Sequence, residues 1–499
     1  MKNLSAMLLC DFYKIAHRSM YPQKTEVVYS TWTARTSRLL DVNQVVHFGA
    51  QAFIKEFLID FFNEQFFSRP KADVIAEYSR IIKNTLGVAN PDVSHIEALH
   101  DLGYLPLKIK SLPEGSIVPL RVPLMTLQNT EPRFFWLTNY IESLMSAQLW
   151  QASTSATVAR EYRKIFEKYA LETTGDIGFV QFQGHDFSFR GMSSVESAIL
   201  SGMGHLLSFV GTDTIPAIQG AEHYYGANVE KELVGCSIPA SEHSIQCAYG
   251  DDLKYFTELI TRVHPAGFVS IVADGYDLWD VLTRVVPTLK DTILARDGKV
   301  VIRPDSGDPV KIVVGNPEGK SEAERKGVIE LLWDVFGGTV TPQGYKVLDS
   351  HIGCIYGDAI TRTRAKDICE GLKAKGFAST NMVYGIGSYT YQYNTRDTFG
   401  YAMKSTACVI DGKEIPIFKD PVTDSGVKKS AKGAVRVYKT KGPEGSGIDV
   451  FAFKDELTIA EANEQTLLQD VFVDGKLLIN ETFSGIRNRL AQHEVKLSN

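Results

Sequence analysis

Six short apolar runs, each stopping on polar or small residues, constrain the fold of this chain more than any other feature. They begin at about residue 150, with helix-length segments between them. Gly178-Phe179-Val180-Gln181-Phe182 leads to His185-Asp186-Phe187-Ser188-Phe189-Arg190, and Leu207-Ser208-Phe209-Val210 leads to Gly211-Thr212-Asp213-Thr214. Phe268 to Val272 leads to Asp274-Gly275-Tyr276-Asp277, and Lys299 to Ile302 leads to Arg303-Pro304-Asp305-Ser306-Gly307. Ile352 to Tyr356 leads to Gly357-Asp358, and Asn381 to Tyr384 leads to Gly385-Ile386-Gly387-Ser388. The intervening segments have helical periodicity: in Ser321 to Phe336, Val328, Leu331, Leu332, Val335 and Phe336 share one face. Strands alternating with helices predict an α/β fold with a parallel sheet. Polar residues at six successive strand ends predict a barrel with one functional face.

The barrel is expected over 151–399. Residues 1–150 mix helices with strands such as Glu26 to Trp32 and are expected to pack with 400–499 as a second, α+β domain. At 499 residues the chain is long enough for two such cores.

The stretch from Lys299 to Pro309 carries the most chemistry. Pro304 and Gly307 end the strand, so Arg303 and Asp305 project from its carboxyl end, where α/β enzymes bind ligands. A cation for phosphate beside a carboxylate for a sugar diol or Mg²⁺ suits a phosphorylated ribose. A surface turn with an incidental ion pair also accounts for this fragment taken alone.

A net charge of −6 argues against a general nucleic-acid or membrane surface, so any phosphate site must come from locally gathered Arg and Lys. Six scattered cysteines without CxxC spacing predict a reduced, cytoplasmic protein. The apolar part of Met1 to Asp11 is too short and too interrupted for a signal peptide, and no window is apolar for long enough to span a bilayer.

Two motifs mislead. Gly315-Asn316-Pro317-Glu318-Gly319-Lys320-Ser321 has three residues between its glycines where a P-loop needs four, and Glu318 would point a negative charge at the phosphate. It is better explained by a capping box of Ser321 and Glu324. Asp424-Ser425-Gly426 is only a fragment of the phosphoribose loop of another transferase class. The basic run Lys428-Lys429-Ser430-Ala431-Lys432 reads on composition as a solvated loop. His243, beside Glu242 in a polar turn, has no nucleophile elbow with it, but such a histidine can be a nucleophile toward a phosphoryl donor.

Taken in order, His185 to Gly191, Gly211 to Thr214, Pro239 to Ser244, Ile302 to Gly307, Gly357-Asp358 and Thr395-Arg396-Asp397 resemble the type II phosphoribosyltransferases, in their nicotinate/nicotinamide branch. The likeness runs nearly end to end, from Leu9-Cys10-Asp11-Phe12-Tyr13-Lys14 to the final helical segment. It implies an irregular (β/α) barrel and a reaction joining nicotinamide to 5-phosphoribosyl 1-pyrophosphate, giving nicotinamide mononucleotide and pyrophosphate in NAD salvage. The nitrogen that attacks is a neutral pyridine, so the reaction calls for positioning and for stabilisation of a cationic sugar and a departing polyanion.

The resemblance also implies roles. The base would stack on Phe187, with Tyr13 of a second subunit on its other face. Asp213 would accept a hydrogen bond from the carboxamide and repel nicotinate: at ~4 Å and an effective dielectric near 20, two like charges cost roughly 4 kcal/mol. Arg190 and Arg303 would line the base and ribose-phosphate region, and Asp305 and Asp358, next to Gly357, would face the ribose or its metal. Asp274 is a further Mg²⁺ candidate. Gly387 and Ser388 would offer N–H groups to the 5-phosphate beside Arg396, while Arg35, Lys404, Lys419 and Lys428 would attract pyrophosphate or ATP. His243 matches a phosphorylatable histidine through which ATP stimulates the reaction, and the expected assembly is a homodimer with shared active sites.

The chain departs from animal members of the family at three places. Ser388 and Tyr389 replace glycines of the phosphate loop, Phe189 stands where tyrosine is usual, and Gly353 stands where they have arginine. Three other functions remain to be distinguished: a nicotinate phosphoribosyltransferase, a non-catalytic nucleotide sensor, and another barrel enzyme acting on sugar phosphates.

Overall fold

The computed structural model describes residues 4–357, 359–423, 429–442 and 449–495. The chain divides into two compact units: Met1–Thr157 with Ala221–Ala227 and Asn394–Asn499, and Val158–Gly220 with Asn228–Tyr393.

The second unit is built on a parallel six-stranded sheet. Its strands lie in the order Gly211–Thr212, Gly184–Asp186, Met382–Ile386, Ile352–Tyr356, Val300–Arg303, Val269–Val272. Parallel neighbours need crossover connections, and helices supply them. Arg362–Ala374, between the 352 and 382 strands, buries Ala365, Ile368, Cys369 and Leu372, and its N-cap Thr361 accepts from the Arg364 amide. This is the spacing of one helical face. Within the strands the two-residue period separates core from lumen. Val300 and Ile302 are fully buried, while Lys299, Val301 and Arg303 line a cavity inside the curved sheet. Burying Val300 and Ile302 contributes roughly 1.5–3 kcal/mol each.

Two strands form later in the chain than the apolar runs suggest. Val180–Gln183 is a helical turn, with the Phe182 amide donating to the Phe179 carbonyl, and the strand starts at Gly184. A Cβ on Gly184 would lie 2.8 Å from the Phe209 ring, so glycine lets that ring close on the strand. Leu207 and Ser208 continue the preceding helix through bonds to the Gly204 and His205 carbonyls, leaving only Gly211–Thr212 to pair. The segment 321–336 is also two helices, Glu322–Lys326 and Val328–Phe336, broken at Gly327, whose φ is 79°. Ser321 caps the first as expected, but the Glu324 carboxylate accepts from the Lys320 amide, not from Ser321 itself.

The first unit has a seven-stranded sheet. Lys413–Pro416, Ala402–Ile410, Thr25–Thr33, Pro123–Asn129, Leu107–Ser111, Gln469–Val473 and Lys476–Leu477 follow one another across it, each antiparallel to the next. Its core is rich in aromatic side chains, with Trp32 and Tyr401 stacked at 5.5 Å.

A buried carboxyl in this unit makes stability depend on pH. Glu114 accepts from the Gly49 and Gln51 amides, at 2.6 Å each, and from the Tyr225 hydroxyl at 2.9 Å. Burial pushes its carboxyl up to about 7 against those bonds, and the Glu481 carboxylate pushes the same way. A group whose folded value exceeds its unfolded value of 4.5 keeps its proton longer in the folded state. Stability therefore falls as pH rises from 4.5 to about 7, by at most about 3 kcal/mol from this group, and levels off above. Glu114→Gln is expected to lack this component. If its stability, measured by denaturant unfolding, differs from wild type by a constant amount across that window, Glu114 is not the titrating group.

Candidate active site

The cavity inside the parallel sheet, of ≈ 340 Å³, carries polar side chains where the strands end. Phe187 follows the 184–186 strand and lies edge-tilted against His185, ring centres 4.7 Å apart. Period two puts both on the face toward the cavity, whose lining includes them together with Asp213 and Arg303. Gly357 and Gly385, on neighbouring strand ends, make room for the Phe187 ring. A Cβ on Gly385 would come within 2.5 Å of the ring, and one on Gly357 would meet the Asp305 carboxylate at 2.5 Å.

Asp213 is oriented by two donors on one oxygen. His185 Nε2 lies 2.9 Å and the Ser237 hydroxyl 2.6 Å from Oδ1. Burial pushes this carboxyl up, but the His185 and Ser237 bonds and the Arg303 charge outweigh it and hold it below the usual aspartate value. Arg303 is placed by its Nη2 donating to the Ser241 carbonyl at 2.7 Å. Ser241 is itself held by the Tyr255 hydroxyl and the Val272 amide. The Arg303 Nε–H is buried and meets no acceptor among the described residues, as befits a donor kept for a ligand.

A second cluster joins His243, Asp274 and Asp305. His243 opens the helix His243–Tyr249, and its Nε2 lies 3.0 Å from Asp274 Oδ1. The other Asp274 oxygen accepts from the Asp305 amide at 2.9 Å and from the Ser306 hydroxyl at 2.6 Å. Burial pushes the Asp274 carboxyl up, yet these bonds and the His243 ring keep it low. Among the described residues no three His, Cys, Asp or Glu side chains are gathered to hold a metal by themselves. Mg²⁺ is commonly held by one or two carboxylates together with substrate phosphates, and the carboxylates this cluster offers are Asp274 and Asp305, linked here through the Asp305 amide.

Gly387 caps the short helix Ser388–Tyr391, and its own N–H and that of Ser388 donate to no described residue. Ser388 packs tightly on Gly191, while Arg190 is exposed just before it. Tyr389 is exposed and stacks on Tyr393 at 5.5 Å. The Lys299 stem fills the space at Gly353, a Cβ there lying 3.3 Å from Lys299 Cδ.

In the first unit a basic cleft of about 200 Å³ is lined by Arg35, Arg121, Lys404 and Lys429, with Asp455. Arg35 Nε donates to the Gly400 carbonyl at 3.0 Å. Burial pushes the Lys404 ammonium down, and the Arg35, Lys419 and Arg396 charges add to this against Glu142. Arg396 is exposed, 3.8 Å from Asp397, and Tyr13 is exposed on the turn Phe12–Ala16 beside His17. Asp358 and Lys428 lie outside the described residues. The sequence singled out neither Ser237 nor Arg121 and gave His185 no role of its own. The signal that could have found His185 is its two-residue spacing from Phe187, which puts both on one face.

The parallel sheet of the second unit thus carries basic and acidic residues at its strand ends, and the first unit holds an antiparallel sheet, an architecture that solved phosphoribosyltransferases share. A solved nicotinate-nucleotide pyrophosphorylase from Pyrococcus furiosus is similar in fold, with a TM-score of 0.59 at 14% identity over 99% of this chain and 96% of that one. Residues 182–476 match the nicotinate phosphoribosyltransferase (NAPRTase) family, and the chain belongs to that family. It is a pentosyltransferase of NAD biosynthesis. Its relatives include a nicotinamide phosphoribosyltransferase of Acinetobacter baylyi, 50% identical over 97% of this chain and 96% of that protein. Another, of Mycoplasma genitalium, is 36% identical over 88% of this chain and 96% of that protein. Among the described residues no helix is long and apolar enough to cross a membrane.

Proposed function

We propose that the chain transfers the 5-phosphoribosyl group of phosphoribosyl pyrophosphate to nicotinamide, giving nicotinamide mononucleotide and pyrophosphate. The observation that carries this reading is the Asp213 carboxylate at the cavity, with both donors on Oδ1. Oδ2 is left to accept from a carboxamide NH₂, a contact that nicotinate has no hydrogen to make. Phe187 stacks on the ring, and Tyr13 of a second copy of the chain closes its other face. Arg303 and Arg190 hold the sugar phosphate, and the Gly387 and Ser388 amides hold its 5-phosphate oxygens. The Asp305 carboxylate faces the ribose as positive charge develops on it. Asp274 and Asp305 would hold Mg²⁺, which would supply charge neutralisation of the leaving group.

His243 serves ATP. With Nε2 turned to Asp274, the ring presents Nδ1 as its nucleophilic nitrogen, and a carboxylate at that distance stabilises the imidazolium as charge moves onto the ring. Arg35, Lys404, Lys419 and Lys428 attract the polyphosphate.

Purified protein incubated with phosphoribosyl pyrophosphate, Mg²⁺ and either base, with and without ATP, is expected to yield mononucleotide from nicotinamide, faster with ATP. Product from neither base would overturn the reading, and product from nicotinate alone would reassign the substrate. His243→Ala is expected to lose the ATP stimulation. An unchanged ratio of rates with and without ATP in that variant would remove His243 from the ATP step.

A further inference from the structure

We propose that Arg121 is a phosphate-binding residue of the basic cleft in the first unit, gripping, together with Arg35 and Lys404, the diphosphate group that the reaction releases. The proposal rests on the reading of the chain as a pyrophosphate-releasing transferase. Arg121 sits in the turn between the strands Ile117–Pro119 and Pro123–Asn129, with φ of 73°. Glycine takes that conformation freely, whereas a side chain crowds its own backbone there. Of the described non-glycine residues with positive φ, Arg121 alone lines this cleft. The turn needs the conformation but has no use for a long cationic side chain. The reason for arginine at this position therefore lies in what the side chain reaches.

The backbone around it fixes where the guanidinium stands. The Arg121 amide donates to the Ala34 carbonyl at 2.7 Å, locking the turn to the residue before Arg35, so the two arginines are delivered side by side. Arg121 forms no side-chain hydrogen bond or ion pair with any described residue. Among its neighbours Lys429 is paired with Asp420 at 3.2 Å, and the one acid in the lining, Asp455, accepts the Lys432 amide. Arg121 adds its charge to those of Arg35 and Lys404 in the same lining, where Arg35 already acts on Lys404, and a polyanion would relieve that gathering. Guanidinium forks match phosphate oxygens two at a time, which suits a diphosphate better than a carboxylate or a single halide.

The test uses Arg121→Gly and Arg121→Gln in the full chain, with inorganic pyrophosphate as the probe. Glycine removes the side chain and relieves the turn, so its melting temperature should equal or exceed that of wild type. Pyrophosphate binding, by titration calorimetry, should weaken by at least about tenfold, as for loss of a charged hydrogen-bonding group. Glutamine keeps the bulk without the charge and should weaken binding similarly. Pyrophosphate affinity within twofold of wild type in both variants would overturn the proposal, as would absence of pyrophosphate binding by the wild-type protein. A fall in Arg121→Gly melting temperature with unchanged affinity would make the residue structural and overturn it too. If wild type forms no mononucleotide yet binds pyrophosphate, and the variants lose that binding, the proposed function fails while this inference stands. If wild type forms mononucleotide and the variants bind pyrophosphate as it does, the function stands and this inference fails.

Discussion

Asp213→Ser is expected to erase most of the preference for nicotinamide over nicotinate, a shift on the order of a thousandfold in the ratio of their kcat/KM values. The size follows from charge. A nicotinate carboxylate about 4 Å from the Asp213 carboxylate meets a like-charge cost of roughly 4 kcal/mol at an effective dielectric near 20. His185 and Ser237 anchor Oδ1, so the side chain cannot simply swing away from an acidic substrate. Its pKa lies below the usual aspartate value, so the charge is present at every pH where the enzyme would be assayed. Serine removes the charge and leaves a hydroxyl at the strand end, and Arg303 nearby then favours the acid. The measurement is kcat/KM for both bases with wild type and variant. A ratio that does not move would show that Asp213 has no part in choosing the base.

The sequence made the barrel legible where a strand alternates. From Lys299 to Arg303 the odd residues line the cavity and the even ones are buried, a pattern set by two-residue period alone. It misled at Phe179 to Phe182 and at Leu207 to Val210, because an apolar run of four or five residues suits a buried strand and a buried helical turn equally. Local hydrogen bonds, and the close approach of Phe209 to Gly184, decided for the turn. Phe187, Asp213 and Arg303 stood out because ordered blocks surround them. The orienting contacts did not, since His185 and Ser237 reach Asp213 across 28 and 24 residues of chain. Arg121 belongs to no motif, and only its backbone conformation and its place in the cleft set it apart.

Gly385→Ala is expected to lower kcat/KM for nicotinamide by at least about a hundredfold, the scale on which a misplacement of 1 Å acts in an active site. A Cβ there would stand 2.5 Å from Phe187 Cδ2, 2.8 Å from Cε2 and 2.9 Å from the Gly357 Cα. The ring therefore has to move, or the ends of two paired strands have to part. The Phe187 ring also lies against His185, so displacing it disturbs the residue that orients Asp213. Stacking surface and amide recognition are lost together, which is why one methyl group is expected to act so strongly. Phe187→Leu separates this from general unfolding, since a smaller side chain leaves room for the Cβ while forfeiting the aromatic face. If Gly385 acts through the ring, the Phe187→Leu/Gly385→Ala double variant is scarcely worse than Phe187→Leu alone, and the two losses are far from additive. Additive losses, or a Gly385→Ala enzyme with wild-type kinetics, would mean that the ring does not depend on the gap at Gly385.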